Sequence, residues 1–238
     1  MYQDILTIAV VTVFAFFAIY WMWFQGEVDG SRLIAKNSMK QQKFNIILVL
    51  VAAFIVKAIL AVKNEGYSVD ITCFRSWSET VFTGGLSHFY EGDVTDYPPG
   101  YMLVLWLVAA IRHLFNIDNY STTGLFMIKL FPILFDLAAA YLIYVMAKKR
   151  FSEGMSLMLS TLYALNPAVV IDSSVWGQVD GVLCCMVLLT CYLFMEEKRI
   201  LAYFAFCAGV LLKPQMVMFA PIIIYSIIEQ VFLHDFNT

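Results

Sequence analysis

The chain has 238 residues, of which 61% are hydrophobic and 14% charged, and its formal net charge is −3. Soluble domains carry roughly 25% charged and 45–50% apolar residues, so the composition excludes an ordinary soluble domain. The small net charge gives no indication of a nucleic-acid partner. Several apolar runs approach the ~20 residues that cross a bilayer as a helix, and their continuous pattern favours helices over barrel strands. We therefore predict an all-α polytopic membrane protein.

The distribution of basic residues predicts which side of the membrane each loop faces. Residues Ile5–Phe24 form a first predicted span, which lacks a cleavage site and is expected to remain as an anchor. The following loop carries Arg32, Lys36, Lys40 and Lys43, and short basic loops stay in the cytoplasm. Asn45–Val62 then crosses outward, so the acidic stretch Asn64–Tyr101 is expected on the outer face.

The apolar run Tyr101–Phe115 is interrupted by Arg112 and His113 and is short for a span. If it crossed the membrane, the basic clusters 148–150 and 198–199 would face outward, against the positive-inside rule. We therefore predict a re-entrant or juxtamembrane segment. The remaining predicted spans give about seven in total: Phe126–Met146, Gly154–Ile171, Val182–Phe194, Ile200–Leu212 and Met216–Phe232.

This topology brings the polar clusters that the positive-inside rule does not explain to one face. They are the Asn64–Tyr101 loop, the turn from Asp172 to Asp180, and Lys213-Pro214-Gln215. Such a convergence is what an outward-facing active site would produce.

Asp70 precedes an amphipathic segment, Ile71–Phe82, and two interpretations are open. It is either the cap of that helix or a reactive carboxylate. Phe74 and Trp77 would follow Asp70 on the same helix face as an apolar wall. Arg75 is expected to pair with Glu79 at i,i+4, and its planar guanidinium also suits a phosphate.

The run Asp96-Tyr97-Pro98-Pro99-Gly100-Tyr101 predicts a rigid turn before a helix. Such a turn would also hold Asp96 and Tyr97 in place for binding. In the turn from Asp172 to Asp180, Trp176 is explained as an interfacial anchor and Gly177 as part of a tight turn. These structural roles do not explain why Gln178 and Asp180 lie together at the membrane edge.

Lys213 follows a run that is short for a span, so it lies below the outer surface beside a helix-breaking Pro214. Snorkelling is one explanation, and we favour a lysine facing an anion in a cavity. Asp136 and Lys129 lie inside a predicted span, where either a structural pair or a functional role is expected. No HExxH, DxD or cysteine ligand set appears, so no metal site is predicted.

Together these residues resemble the GT-C superfamily of glycosyltransferases, and in particular the bacterial family similar to the GPI-anchor second mannosyltransferase. The resemblance rests on Asp70-Ile71-x-x-x-Arg75-x-Trp77 with Asp96–Tyr101, on residues 176–181, and on residues 213–215. It predicts one transmembrane domain over 1–238, with an additional N-terminal helix at 5–24. A GT-C-like module would cover 44–233, and its outer catalytic loop 63–124. Family members have one helix before that loop and are much longer than this chain.

The resemblance implies inverting transfer of a sugar from a polyprenyl-phosphate donor, without a cofactor, at the outer face of the plasma membrane. Asp70 would be the general base, and the acceptor a glycan, lipid-linked or protein hydroxyl. The expected substrate-binding residues are Arg75, Trp77, Asp96, Tyr97, Trp176, Gln178, Asp180, Lys213 and Gln215. Two alternatives remain. One is an inactive or partial module that acts as a scaffold or with a second polypeptide supplying helices. The other is a transporter or flippase for a lipid-linked or anionic substrate that uses Asp136 and Lys213.

Overall fold

A computed structural model describes residues 39–92, 95 and 97–230. The predicted first helix, Ile5–Phe24, and the predicted binding residue Asp96 lie outside the described residues. Within the described ranges all regular secondary structure is helical, so the prediction of an all-α membrane protein is confirmed.

Most helices follow the predicted apolar runs, whereas the helix that begins at Ser68 occupies most of the polar Asn64–Tyr101 stretch and extends beyond the predicted amphipathic segment Ile71–Phe82. The helical segments are α1 (Met39–Lys63), α2 (Ser68–Gly92), α3 (Pro99–Leu114), α4 (Thr122–Ala147), α5 (Glu153–Ala164), α6 (Pro167–Val170), a π-helical segment (Ile171–Trp176), α7 (Asp180–Met195), α8 (Arg199–Leu212), a 3₁₀ segment (Pro214–Phe219) and α9 (Ala220–Ile228). Helix α2 bends at Gly85, where φ is 76°. Helices α4 and α5 begin after Ser121 and Ser152, whose hydroxyls accept hydrogen bonds from first-turn amides.

Two helices in the described part are long and apolar enough to cross a membrane, Lys43–Lys63 and Thr122–Ala147. A third span is obtained if α5 and the segment Pro167–Trp176 count as one, although they meet at 47°. Asn166 and Pro167 explain this bend, because the Asn166 side chain caps the new helix and proline favours its first turn. Helices α3, α7 and α8 are shorter apolar helices. The predicted number of about seven spans therefore stays a prediction.

Helix α4 lies at the centre of the fold and packs against α1, α5 and α7, while α8 packs on α7 and α2 packs on α3. The main apolar cluster lies where α2, α3, α4, α7 and the 3₁₀ segment meet. Its largest members include Phe74, Tyr101, Ile128, Val182 and Met216. The polar side chains of the candidate site lie next to this apolar cluster.

A buried ion pair fastens α1 to α4. Lys57 Nζ lies 2.7 Å from Asp136 Oδ2, and both side chains are almost completely buried. The same ammonium donates to Ser173 Oγ at 3.1 Å and to the Val169 carbonyl at 3.2 Å. Asp136 thus has the structural pairing that the sequence left open, and its partner is Lys57.

A second ion pair joins α2 to α3. Glu79 accepts from the guanidinium of Arg112 and from His113 Nε2, the latter at 2.9 Å. The predicted Arg75–Glu79 pair is wrong. Arg112 is buried against α2 and needs a carboxylate there, whereas the guanidinium of Arg75 lies over the Tyr120 ring.

The pKa of Glu79 lies below its ordinary value of 4.5. Burial alone would raise this pKa, and the hydrogen bonds from His113 and Arg112 outweigh that effect. Because the folded-state pKa is depressed, the pair stabilises the protein above the ordinary pKa, and this stabilisation is lost as the pH falls through the folded-state pKa.

We therefore expect Glu79→Gln to weaken the acid dependence of the melting temperature, measured between about pH 3 and about pH 7 in detergent. The exposed Glu91→Gln is the control and should retain the wild-type dependence. Identical acid profiles for wild type and Glu79→Gln would show that the pair does not control this behaviour.

Candidate active site

A cavity of about 340 Å³ opens between α2, the start of α3, and the segments that follow Trp176 and Lys213. It is lined by Asp70, Cys73, Phe74, Trp77, Tyr97, Gln178, Lys213, Pro214 and Gln215. Six of the predicted site residues are thus brought together by the fold: Asp70, Trp77, Tyr97, Gln178, Lys213 and Gln215.

Asp70 is held in this cavity by two side chains that follow it by more than 100 positions in the sequence. Its Oδ2 accepts a hydrogen bond from Trp176 Nε1 at 2.8 Å and another from Gln178 Nε2 at 3.1 Å. Among the described residues, no hydrogen-bond donor reaches its Oδ1. Asp70 lies inside the first turn of α2, which begins at Ser68, so the capping interpretation is wrong. We call Trp176 and Gln178 together the Asp70 clamp.

The orientation of the Gln178 amide is fixed by its own contacts. Its Oε1 accepts from the Tyr97 hydroxyl at 3.0 Å and from the Val179 amide at 2.8 Å. Since an amide oxygen cannot donate, these two bonds direct Nε2 towards Asp70. Tyr97 therefore contributes to the placement of the carboxylate as well as to the cavity wall.

Aromatic rings form one wall of the cavity. Phe74, Trp77 and Tyr97 are mutual neighbours, with ring centroids 5.7–5.9 Å apart. Trp176 has a different position: it is 45% exposed and packs on Tyr67 at 5.3 Å. Of the two tryptophans expected at the site, Trp77 lines the cavity and Trp176 supports Asp70.

Lys213 supplies the positive charge of the cavity lining. It is buried, and its ammonium forms an ion pair with the more exposed Asp180. Helix α8 ends at Leu212, Lys213 has extended backbone angles, and Pro214 begins the 3₁₀ segment. The predicted break in the helix beside this lysine is confirmed, and it directs both Lys213 and Gln215 to the cavity.

Gly100 explains how the Pro-Pro-Gly turn comes close to Lys213. A Cβ atom at this position would lie 2.5 Å from the carbonyl oxygen of Leu211, the penultimate residue of α8. Only glycine permits this approach of the α3 start to the α8 end. The glycine of the motif thus brings Tyr97 and Lys213 to the same cavity.

The structure does not bring every predicted residue to the cavity. Arg75 lies on another face of α2, with its guanidinium carbon 5.2 Å from the centroid of the Tyr120 ring. Asp180 reaches the site through Lys213 and Asp96 lies outside the described residues. Sequence reasoning missed Cys73 as a lining residue, although it lies one turn after Asp70 and periodicity could have identified it. In the described part of the chain, no group of three or more His, Cys, Asp or Glu residues is arranged for a metal.

The fold and the cavity define a helical membrane protein with a carboxylate, an aromatic wall and a cation in one polar cavity. This arrangement agrees with the GT-C class of glycosyltransferases. Residues 96–236, more than half of the chain, match the family described as dolichyl-phosphate-mannose-protein mannosyltransferase. The chain belongs to this family, and its membership of the GT-C superfamily is thereby confirmed. Asp70 precedes the matched segment.

A curated relative gives a similar result over part of the chain. The sequence is 27% identical to GPI mannosyltransferase 1 of Saccharomyces cerevisiae over 128 residues, covering 51% of this chain and 29% of that protein. The match thus spans less than a third of the length of that relative. No solved structure matches the chain.

Proposed function

We propose that this protein transfers a mannose-like sugar from a polyprenyl-phosphate donor to a hydroxyl acceptor, with inversion of the anomeric carbon. The observation that carries the proposal is the Asp70 carboxylate, held through Oδ2 while Oδ1 has no donor among the described residues. A carboxylate in this state can accept a proton from a hydroxyl. The family match supports the sugar-transfer class.

In the proposed reaction the acceptor oxygen attacks the anomeric carbon and its proton passes to Asp70. The bond between the anomeric carbon and the phosphate oxygen breaks, so the lipid phosphate leaves with the bonding electron pair. A single in-line displacement of this kind inverts the anomeric centre. The developing charge on the leaving phosphate needs a fixed cation, and Lys213 is the cavity residue that can provide it.

The remaining lining residues suit a sugar. Trp77 offers an aromatic face against which a pyranose ring can pack, and Tyr97, Gln178 and Gln215 offer polar groups for its hydroxyls. In this geometry Arg75 does not line the cavity, so the proposed phosphate contact rests on Lys213. Asp96 and Asp180 stay proposed binding residues for the sugar or acceptor.

A transporter that uses Asp136 as a substrate site receives less support. Asp136 is buried with Lys57 in an ion pair that fastens two helices, and opening this pair would leave an unpaired charge in the bundle. The lining of the cavity by Asp70 and Lys213 favours the transferase.

Asp70→Asn is the first test of the base. We expect donor binding to remain and the rate of transfer to fall by about 10²–10⁴-fold, because an amide cannot accept the proton. Transfer is measured in membranes supplied with radiolabelled polyprenyl-phosphate mannose, with their endogenous glycolipids as acceptors. Asp118→Asn, in the exposed loop before α4, is the matched control and should keep wild-type transfer. Undiminished transfer by folded Asp70→Asn would exclude the base assignment.

Lys213→Met tests the cation. We expect the rate at saturating donor to fall by about 10²-fold, since removing one charge-stabilising group at a reaction centre has costs of this size. Asp180→Asn should have a smaller effect, because it leaves the ammonium in place. If Lys213→Met transferred sugar at the wild-type rate, the leaving phosphate would have to be stabilised elsewhere.

The proposed outward-facing site in the plasma membrane is tested by labelling of single cysteines in a cysteine-free background. We expect Tyr120→Cys to react with an impermeant maleimide in intact cells and Ser152→Cys to react after permeabilisation. These positions flank α4, which has the length of a span. External labelling at Ser152→Cys with protection at Tyr120→Cys would show that the topology is the opposite of the proposed one.

A further inference from the structure

Lys129 is a buried lysine of α4 whose hydrogen-bond partners are all backbone carbonyls. Its side chain is fully buried. The ammonium donates to Asn64 at 2.7 Å, Ser174 at 3.1 Å and Val175 at 3.2 Å, and Ala61 lies at 3.4 Å. Within the ranges that the structure describes, no carboxylate pairs with it. A buried ammonium is costly, and here its three N–H groups are satisfied only by these carbonyls.

The four carbonyls belong to the C-terminal ends of two helical segments. Ala61 and Asn64 lie at the end of α1, and Ser174 and Val175 lie in the last turn of the π-helical segment. Carbonyls at the end of a helix have no intrahelical partner and favour a positive charge. The ammonium of Lys129 thus binds both ends at one point.

Both helix ends lead directly to Asp70 or to its clamp. After Asn64, the Tyr67 amide donates to the Trp176 carbonyl at 2.9 Å, and Asp70 follows in the next turn. After Val175 come Trp176, which donates to Asp70, and the turn at Gly177. The carboxylate and its donors are therefore attached to segments that the same lysine holds.

The side-chain stem of Lys129 also supports the turn of the clamp. Gly177 has a φ of +88°, and a Cβ atom added there would lie 3.2 Å from Lys129 Cε and 2.7 Å from Ile71 Cδ1. The turn that separates Trp176 from Gln178 thus packs directly on the lysine. A shift of this side chain would move both donors of the clamp.

We propose that Lys129 is the positioning residue for Asp70: it fixes the α1 end and the π-helical end so that Trp176 and Gln178 hold the carboxylate towards the cavity. Its effect on catalysis rests on the proposed transferase function, whereas its effect on the clamp does not. Lys129 is not among the residues that line the cavity, and in this role it acts through the clamp.

Lys57 provides a matched control. It is also a fully buried lysine and also bonds the region of the π-helical segment, through the Val169 carbonyl and Ser173 Oγ, but its main partner is Asp136. The double variant Lys57→Met with Asp136→Leu removes that pair without leaving an unpaired charge. A general effect of removing a buried lysine, or of loosening the π-helical segment at Ser173, would appear in this control. An effect that depends on the joining of Asn64 to Ser174 and Val175 would not.

The experiment combines a spectroscopic measurement with kinetics on full-length protein in lipid nanodiscs. The protein is labelled with 5-fluorotryptophan, and the ¹⁹F resonance of Trp176 is identified by its loss in Trp176→Phe. Asp70→Leu gives the reference position for an indole without its acceptor. Transfer is measured with radiolabelled polyprenyl-phosphate mannose and glycolipid extract from the native membranes as the acceptor source.

We expect Lys129→Met to move the Trp176 resonance towards its position in Asp70→Leu. The rate at saturating donor should fall by about tenfold to a hundredfold with KM for the donor changed little, since misplacement of a reacting group has effects of this size. Lys129→Gln keeps two N–H donors and should give an intermediate shift and rate, and it serves as the folded variant if Lys129→Met does not fold. The Lys57→Met, Asp136→Leu control should keep the wild-type resonance and rate.

A wild-type Trp176 resonance in the folded Lys129 variants would overturn the inference, as would an equal shift in the Lys57 control. If the wild-type chain transfers no sugar, the proposed function fails while the resonance still decides whether Lys129 positions the clamp. If the resonance moves and the rate does not, Lys129 is not a positioning residue for the reaction.

Discussion

The cost of burying charge in an apolar bundle determines much of this structure. An isolated ion inside a helical membrane protein is strongly unfavourable, so each buried cation must find compensation from another segment. Lys57 forms an ion pair with Asp136, Arg112 with Glu79, and Lys213 with Asp180. The first pair joins α1 to α4, which are distant in the sequence, whereas the other two join consecutive elements, α2 to α3 and α7 to the segment that follows α8. The charges thus help to fix which helices are neighbours.

Lys129 is the exception among these cations, because its compensation comes from backbone carbonyls. This difference has a structural consequence. A carboxylate partner would fasten one side chain to another, whereas four carbonyls fasten the ends of two helices. The place where those ends meet is the place from which Asp70, Trp176 and Gln178 project. Stability and the geometry of the candidate site therefore depend on the same contact.

The cavity combines two chemical environments. Aromatic rings from α2 and from Tyr97, just before the Pro-Pro-Gly turn, provide an apolar wall. The polar residues Lys213 and Gln215 follow the end of α8, and the break in the helix directs them to the cavity. A sugar attached to a lipid phosphate requires both kinds of surface, and their combination supports the proposed donor.

Much of the site could be predicted from local sequence. The 3.6-residue period of α2 places Asp70, Phe74 and Trp77 on one face, and that prediction needs no knowledge of neighbouring helices. The breaking of α8 before Pro214 is equally local. The positive-inside rule placed residues 172–180 and 213–215 with Asp70, and the cavity lining agrees with that grouping for Gln178, Lys213 and Gln215.

The sequence alone thus determined the helical class, the positions of the apolar runs and the residues that share a helix face, because these depend on composition and on short-range periodicity. Only the tertiary structure decided the partners. Glu79 pairs with Arg112 and not with Arg75, and Asp70 is held by Trp176 and Gln178 from more than 100 positions away. Lys129 could not be assigned from its neighbours in sequence, because its partners are carbonyls of two helix ends that come together only when α1, α4 and the π-helical segment pack.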